Sequence, residues 1–338
     1  MSATDTRPLL SVRDLKKHFP IKGGILGRTQ AMVQAVDGVS FDVRAGETLG
    51  IVGESGCGKS TTAKLLIGLV DRDEGDIELG GKTLGRDISL RALRRDIQMV
   101  FQDSYASLNP RMTILDSIAF GARVQGLDDP VGRARRLLGR VGLNPERFAG
   151  RYPHELSGGQ RQRINIARAL VMSPKVVVLD EAVSALDKSV EAQVLNLLSD
   201  LRAEFGLTYI FISHDLNVVR YISDRILVMY LGEVVELAPV DSIWAEQAHP
   251  YTRSLFSAMP SMDPDNRTEK PPLTGDPPNP INPPPGCRFH TRCALAADVC
   301  KARHPVLAPM AQGSAHWVAC HLHDAASGHP RAGQGMPA

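Results

Sequence analysis

The sequence predicts an α/β fold, a mostly parallel sheet with crossover helices, followed by a smaller cysteine-bearing module. Three observations predict it. The apolar run Leu49-Gly50-Ile51-Val52 feeds a glycine-rich segment and then a helical stretch. Two more apolar runs, residues 176–179 and 208–212, bracket a segment in which Val190, Val194, Leu197, Leu198 and Leu201 recur at helical spacing. A strand–helix–strand alternation needs a crossover connection, which places the strands side by side and parallel with both faces covered. Near the C-terminus, Cys287, Cys293, Cys300 and Cys320 form a cluster apart from the lone Cys57.

Residues 9 to 52 read as short strands, because Val39, Phe41 and Val43 alternate with polar residues as a half-buried strand does. Ser60 to Leu69 reads as a helix. Residues 103–155 read as mostly helical, and the basic stretch Arg133 to Arg140 as a solvated helix face. The valine and leucine stripe from Val190 to Leu201 reads as core packing. Residues 226–236 read as a hairpin turning at Gly232. Between Pro260 and Gly286, 10 of 27 residues are proline, so this stretch is stiff, extended and unable to enter a central sheet. It reads as a linker. The expected units are a main α/β domain over 1–255, a proline-rich and cysteine-bearing extension over 256–322, and a disordered tail over 323–338, which is rich in Gly, Ala, Ser and Pro.

The 338 residues are 43% hydrophobic with a formal net charge of +2, ordinary for a globular protein and without the basic field of a nucleic-acid binder. No apolar run reaches the roughly 18 residues that cross a bilayer, and Met1 to Pro8 lacks the apolar centre of a signal peptide. A cytoplasmic chain is expected, any membrane-spanning part lying on other chains. In such a compartment clustered cysteines point to metal binding over disulfides.

The segment Gly53-Glu54-Ser55-Gly56-Cys57-Gly58-Lys59-Ser60 fits G-x-x-x-x-G-K-[ST] between a strand and a helix. Its glycines let backbone N–H groups turn inward around phosphates, Lys59 supplies a point charge, and Ser60, followed by Thr61, places a hydroxyl for Mg²⁺. Asp180 ends an apolar strand, where a carboxylate needs a partner, and Mg²⁺ is the expected one. Glu181 follows directly and suits a general base for the attacking water. Gln102 can donate and accept, toward Mg²⁺ or that water. His214, after the strand Tyr209 to Ile212, is placed to reach the γ-phosphate and orient Glu181. Leu156-Ser157-Gly158-Gly159-Gln160 opens a helix with Ser157 as N-cap, a ready anion site. Since the chain already has one phosphate cradle, this second one is expected to complete the ATP pocket of another molecule.

In this order the phosphate loop, Gln102, Leu156 to Gln160, the strand ending Asp180-Glu181, Ser184-Ala185-Leu186-Asp187 and His214 resemble the ATPase subunit of an ABC transporter. The resemblance covers most of the chain. It implies a P-loop NTPase of the ABC ATPase type, with a RecA-like parallel-sheet core, an antiparallel β subdomain and a helical subdomain. It also implies that Phe19 stacks on adenine. Tyr105 to Pro110, His249-Pro250-Tyr251-Thr252 and Cys287-Arg288-Phe289-His290-Thr291-Arg292-Cys293 resemble the dipeptide/oligopeptide importers. Glu181 to Asp187 resembles their second, F-type ATPase subunit. The partners thereby implied are a D-type ATPase forming a heterodimer, two membrane permeases and an external solute-binding protein, with this chain peripheral on the cytoplasmic face of the cell membrane. The cofactors are ATP and Mg²⁺. The same extension also occurs in importers of nickel or glutathione. A soluble, non-transport ABC ATPase is the other class of reading, and single motifs, near-neutral charge and the absence of a heptad run speak against it.

The cysteine spacing, C-x5-C-x6-C-x19-C, is looser than the usual zinc pairs. Four thiolates suit a [4Fe–4S] cluster or Zn²⁺, and the resemblance favours iron–sulfur, in a structural or regulatory role such as redox gating.

Overall fold

A computed structural model describes residues 7–23, 28–259 and 278–334. The chain begins with three strands, β1 (Leu10–Gly23), β2 (Arg28–Val43) and β3 (Thr48–Val52), followed by helix α1 (Lys59–Leu66). Next come β4 (Glu74–Leu79), β5 (Lys82–Thr83), α2 (Leu90–Asp96) and β6 (Ile97–Val100). A helical region holds α3 (Ile114–Val124), α4 (Pro130–Arg140), α5 (Pro145–Phe148) and α6 (Gly158–Leu170). The alternation resumes with β7 (Val176–Asp180), α7 (Lys188–Phe205), β8 (Thr208–Ile212), α8 (Leu216–Ile222), β9 (Arg225–Tyr230) and β10 (Glu233–Pro239). Two helices, α9 (Val240–Ala245) and α10 (Pro250–Ser257), precede the extension, which contributes α11 (Asp298–Ala302), β11 (Ala308–Pro309) and β12 (Trp317–Val318).

The central sheet has the order β11-β12-β10-β9-β3-β8-β7-β6. Strands β9, β3, β8, β7 and β6 are parallel, and Leu49 sits beside Ile210 as Ile51 does beside Ile212. Every residue of β3, β7 and β8 is buried. The reason is visible in their alternation. Val177, Leu179, Tyr209 and Phe211 face the helical side, whereas Val176, Val178, Ile210 and Ile212 face a second core under the antiparallel sheet β2-β1-β4-β5. Two buried faces make a continuous apolar run rather than an alternating one. Val194, Leu198 and Leu201 of α7 are buried in the helical-side core, with Val190 and Leu197 packed at its margin. Arg135, Arg136 and Arg140 are exposed on α4, the solvated face the sequence indicated.

Strands β9 and β10 form the expected hairpin, turning at Leu231-Gly232 with φ of +43° and +84°. A Cβ on Gly232 would stand 2.9 Å from the Gln34 carbonyl oxygen, so glycine answers both the backbone twist and the close approach. Helix α1 ends sooner than the apolar pattern suggested, because the chain turns left-handed at Gly68, φ +62°.

The extension adds one arrangement the sequence did not foresee and corrects one reading. Residues 260–277 of the proline-rich segment lie outside the described residues. Beyond them, the extension enters the central sheet: Val318 and Trp317 pair with Glu236 and Leu237 of β10. The tail read as disordered is corrected over residues 323–334. His323 Nε2 is 2.9 Å from the Ala248 carbonyl, His329 Nε2 is 2.9 Å from that of Leu295, and Gly333 N–H donates to Leu322 O. Composition indicated a solvated tail, but histidines with backbone partners and buried Ser327 and His329 anchor it. Residues 335–338 lie outside the described residues.

Candidate active site

The parallel strands deliver the reactive residues to one edge of the sheet, since loops leaving strand C-termini share that edge. Loop 53–58 leaves β3, Gln102 follows β6, Asp180 ends β7 with Glu181 just after it, and His214 follows β8.

The phosphate loop is shaped by close contacts. Gly53 has φ +149°, and a Cβ there would lie 2.2 Å from Met229 O; at Gly58, φ +109°, it would lie 2.3 Å from Ala35 O. Lys59 is buried, and its Nζ donates to the carbonyls of Gly53 (2.7 Å) and Glu54 (3.0 Å). The ammonium is therefore held over the loop's own oxygens, where an anion can replace the carbonyl contacts. Gly58 caps α1 without a side-chain partner, leaving the helix N-terminus open toward the loop. Burial pushes the Cys57 thiol up.

Ser60 Oγ donates to Asp180 Oδ1 at 3.0 Å. Asp180 is 5% exposed and makes no ion pair among the described residues. Its pKa is raised because burial strips water from the carboxylate, against which Ser60 and the fields of Lys64 and Lys59 act weakly. A buried carboxylate beside a hydroxyl and short of positive charge is a donor set that fits Mg²⁺.

Glu181 is the turning point of the site. Its backbone is left-handed, φ +48°, while its N–H donates to Ile212 O at 2.9 Å. That conformation is strained for a non-glycine residue by about 1–3 kcal/mol. It swings the side chain out of the strand so that Oε2 accepts from Gln102 Nε2 at 2.9 Å and Oε1 lies 3.5 Å from His214 Nδ1. The structure thus brings Gln102, Glu181 and His214 together around one carboxylate.

Ser157 caps α6 in a reciprocal box: its hydroxyl accepts from Gln160 N–H at 3.3 Å, while Gln160 Oε1 accepts from Ser157 N–H at 3.0 Å. Leu156 is buried, and Gly159 packs so tightly that a Cβ would stand 2.5 Å from Val190. Asp187 caps α7, with Oδ1 accepting from Val190 N–H. Phe19 stands on β1, 37% exposed, with Lys17 Nζ 5.5 Å above its ring. Thr61 is half-buried on α1, and Ser55 and Gly56 are exposed in the loop.

Two contacts from the C-terminal half were missed in the sequence. Tyr251 OH accepts from Glu54 N–H at 2.7 Å. Arg292 binds Glu54 with both guanidinium arms, at 2.8 and 3.1 Å. Only the two arginines between Cys287 and Cys293 could have signalled the second contact.

The four cysteines converge from three segments on one cavity of about 20 Å³, also lined by Phe289. That volume has room for about one water. Burial pushes the Cys287 and Cys320 thiols up to about 12. Among the described residues, no three His, Cys, Asp or Glu side chains are disposed to hold a metal ion. The expected cysteine set is therefore gathered but closed on itself.

The family described as "ABC transporter" matches residues 36–184, and that described as "Oligopeptide/dipeptide transporter, C-terminal region" matches residues 235–300. The oligopeptide transport ATP-binding protein AppF of Bacillus subtilis is 48% identical over 331 residues, spanning 96% of this chain and 100% of its own length. This chain belongs to the ATP-binding proteins of ABC transporters. OppF of Escherichia coli, another oligopeptide transport ATP-binding protein, is 51% identical to this ABC ATPase over 324 residues, 92% of this chain and 95% of its own. The dimeric post-hydrolysis state of the ATP-binding cassette MJ0796, bound to ADP and phosphate, superposes with a TM-score of 0.59 at 30% identity, covering 68% of this ABC ATPase and 98% of that chain. The fold is that of the ABC ATPases, and hydrolysis of ATP is the activity of the chain. No helix among the described residues is long and apolar enough to cross a membrane.

Proposed function

We propose that this chain is the F-type ATPase subunit of an importer of di- and oligopeptides. The observation that carries the reading is the hydrogen-bonded arrangement of Gln102, Glu181 and His214 beside the Ser60–Asp180 pair, in a chain whose residues 235–300 match the oligopeptide/dipeptide transporter C-terminal region. The names of the relatives support the peptide substrate.

Gly53 to Thr61 cradle the phosphates through backbone N–H groups and Lys59, and Phe19 stacks on the base. Ser60, Asp180 and Gln102 would hold Mg²⁺, which would neutralise the phosphate charge. Glu181 accepts the proton of the attacking water, held in place by Gln102 and oriented by His214. Leu156 to Gln160 present the α6 N-terminus to the nucleotide of a D-type partner, so that ATP glues a heterodimer and its hydrolysis lets go. A groove of about 390 Å³ lined by Leu69, Phe101, Ser107, Phe120 and Arg168 lies beside the segment following Gln102, and more than half of Phe120 and Leu69 is exposed. This apolar groove suits the permease contact, with the chain peripheral at the cytoplasmic face and an external binding protein delivering solute. The four cysteines would be the ligands of a [4Fe–4S] cluster, Zn²⁺ being the alternative; their convergence on one cavity supports that set, while in the arrangement described they are not disposed to hold a metal ion.

The test is co-purification in mild detergent followed by ATPase assay of the reconstituted complex. Two permeases, a second ATPase and hydrolysis stimulated by peptide-loaded binding protein are expected. A complex stimulated by nickel or glutathione in place of peptide overturns the substrate, and a chain without permeases overturns the importer. Iron and acid-labile sulfide measured on the anaerobic preparation decide the cluster.

A further inference from the structure

The five residues between Cys287 and Cys293 dock against the main domain through Arg288, Phe289 and Arg292. Arg288 pairs with Asp37 and, at 2.7 Å, with Glu233, and donates to Leu231 O. Phe289 is 2% exposed and meets Tyr230 edge-on at 5.3 Å and Tyr251 at 5.5 Å. Arg292 reaches past them to the phosphate loop. Its two guanidinium arms grip the Glu54 carboxylate at 2.8 and 3.1 Å, and its side chain is 5% exposed against 22% for Glu54.

Glu54 is the second residue of the phosphate loop and makes three further connections that matter. Its N–H is fixed by Tyr251 OH, its carbonyl accepts from Lys59 Nζ, and that carbonyl also accepts from Cys57 N–H at 3.3 Å. A continuous chain of contacts therefore runs from the cysteine-flanked loop through Arg292 and Glu54 to the lysine that meets the phosphates. A two-armed guanidinium–carboxylate pair fixes orientation as well as distance. With the guanidinium side chain buried, the pair fixes the Glu54 side chain and, through the Glu54 backbone, the shape of the loop.

We propose that Arg292 is a positioning residue of the ATP site: through its paired contact with Glu54 it sets the phosphate loop and thereby the affinity for MgATP. The extension is then a working part of the nucleotide site. The inference rests on the ATP-binding reading of residues 53–61.

The test is equilibrium binding of MgATP to the full chain on a Glu181→Gln background, which separates binding from turnover. Arg292→Ala is expected to weaken binding about tenfold, and Arg292→Lys to recover part of that loss. Added to Glu54→Gln, Arg292→Ala should change the affinity by less than about twofold, because the contact is already gone. If Arg292→Ala does not fold, Arg292→Lys and Glu54→Gln carry the comparison, each expected to weaken binding while melting as the parent does. A folded Arg292 variant with the parent's affinity, or a double variant whose losses simply add, overturns the proposal. A role confined to stability would lower the melting temperature and leave the affinity of the folded chain unchanged. A parent chain that fails to bind MgATP at all overturns the ATP-site reading itself, a separate result.

Discussion

The phosphate loop and the Cys287–Cys293 loop are both tight, glycine-entered turns, yet they hold their shape by opposite means. The first gathers its reactive groups locally: Gly53, Gly58, Lys59 and Ser60 lie within eight residues, and Lys59 Nζ donates to the loop's own carbonyls, although the two glycines close against Met229 and Ala35. The second is shaped by what it reaches. Arg288, Phe289 and Arg292 find partners at Asp37, Glu54, Tyr230, Glu233 and Tyr251, from four other parts of the chain. Local loops concentrate chemistry, because the reacting groups must be placed to within tenths of an ångström. Long-range loops concentrate communication, because each contact ties two segments that would otherwise move separately.

The division can be broken by finding a residue that behaves like the other class. The largest expected effect belongs to the local class. Glu181→Gln should slow hydrolysis by about a thousandfold, about 4 kcal/mol of barrier, with ATP binding and melting unchanged. Single-turnover rates and nucleotide binding check it, and turnover near the parental rate would remove Glu181 from its role.

The next belongs to the docking surface. His249 is 1% exposed, caps α10 through Nδ1 (3.0 Å from Tyr251 N) and has its pKa pushed down to about 4 by burial, against the pull of Glu236. Glu236 is itself fully buried, accepting from the N–H groups of Ala248 and His249 and lying 2.7 Å from His316 Nε2. Because the folded-state pKa lies below the ordinary 6.5, the unfolded chain takes up the proton first. The stability gained from a neutral His249 is thus complete above pH 6.5 and drains as pH falls toward 4. His249→Asn keeps a capping side chain. Between pH 6.5 and 4 the parent should lose about 3 kcal/mol more stability than this variant in denaturant titrations. Parallel curves would show that His249 is not held neutral.

Two smaller effects fall where the classes meet. Gly53→Ala should destabilise the chain by about 2 kcal/mol and abolish nucleotide binding, since the new methyl meets Met229 O in a backbone region open only to glycine. Tyr251→Phe leaves Glu54 N–H without its partner and should lower stability by about 1 kcal/mol, with a measurable rise in KM for MgATP. A purely thermal effect, with KM unmoved, would place Tyr251 in the docking class alone.

The same division governs what could be read in advance. The parallel strands and the phosphate loop were legible, because period and spacing encode them, and His214 was expected near Glu181 from the order of the motifs, whereas the hydrogen bond from Gln102 to Glu181 was not foreseen. Nor was the left-handed turn at Glu181, since nothing in its sequence neighbourhood asks for positive φ. It is imposed by the hydrogen bond to Ile212 on the adjacent strand. The β12 pairing and the packing of 323–334 were hidden as well. Two-residue strands and histidines bonded to carbonyls leave no periodic trace, and the Gly, Ala and Ser around them look like solvated chain. The cysteines were read as a ligand set from chemistry alone. Their spacing could not reveal that the cavity they line has room for so little.

The pairing of Trp317 with Leu237 also has a bearing on the order in which the protein is made. β10 is synthesised about eighty residues before the strand that covers its outer edge. Throughout that interval the nascent chain carries an open ladder of N–H and C=O groups at the rim of its main sheet, a template for pairing with a neighbouring chain. Release of the last residues closes it. A chain clipped before Trp317 would keep every motif needed for ATP and yet leave that edge of β10 open to pairing with another strand.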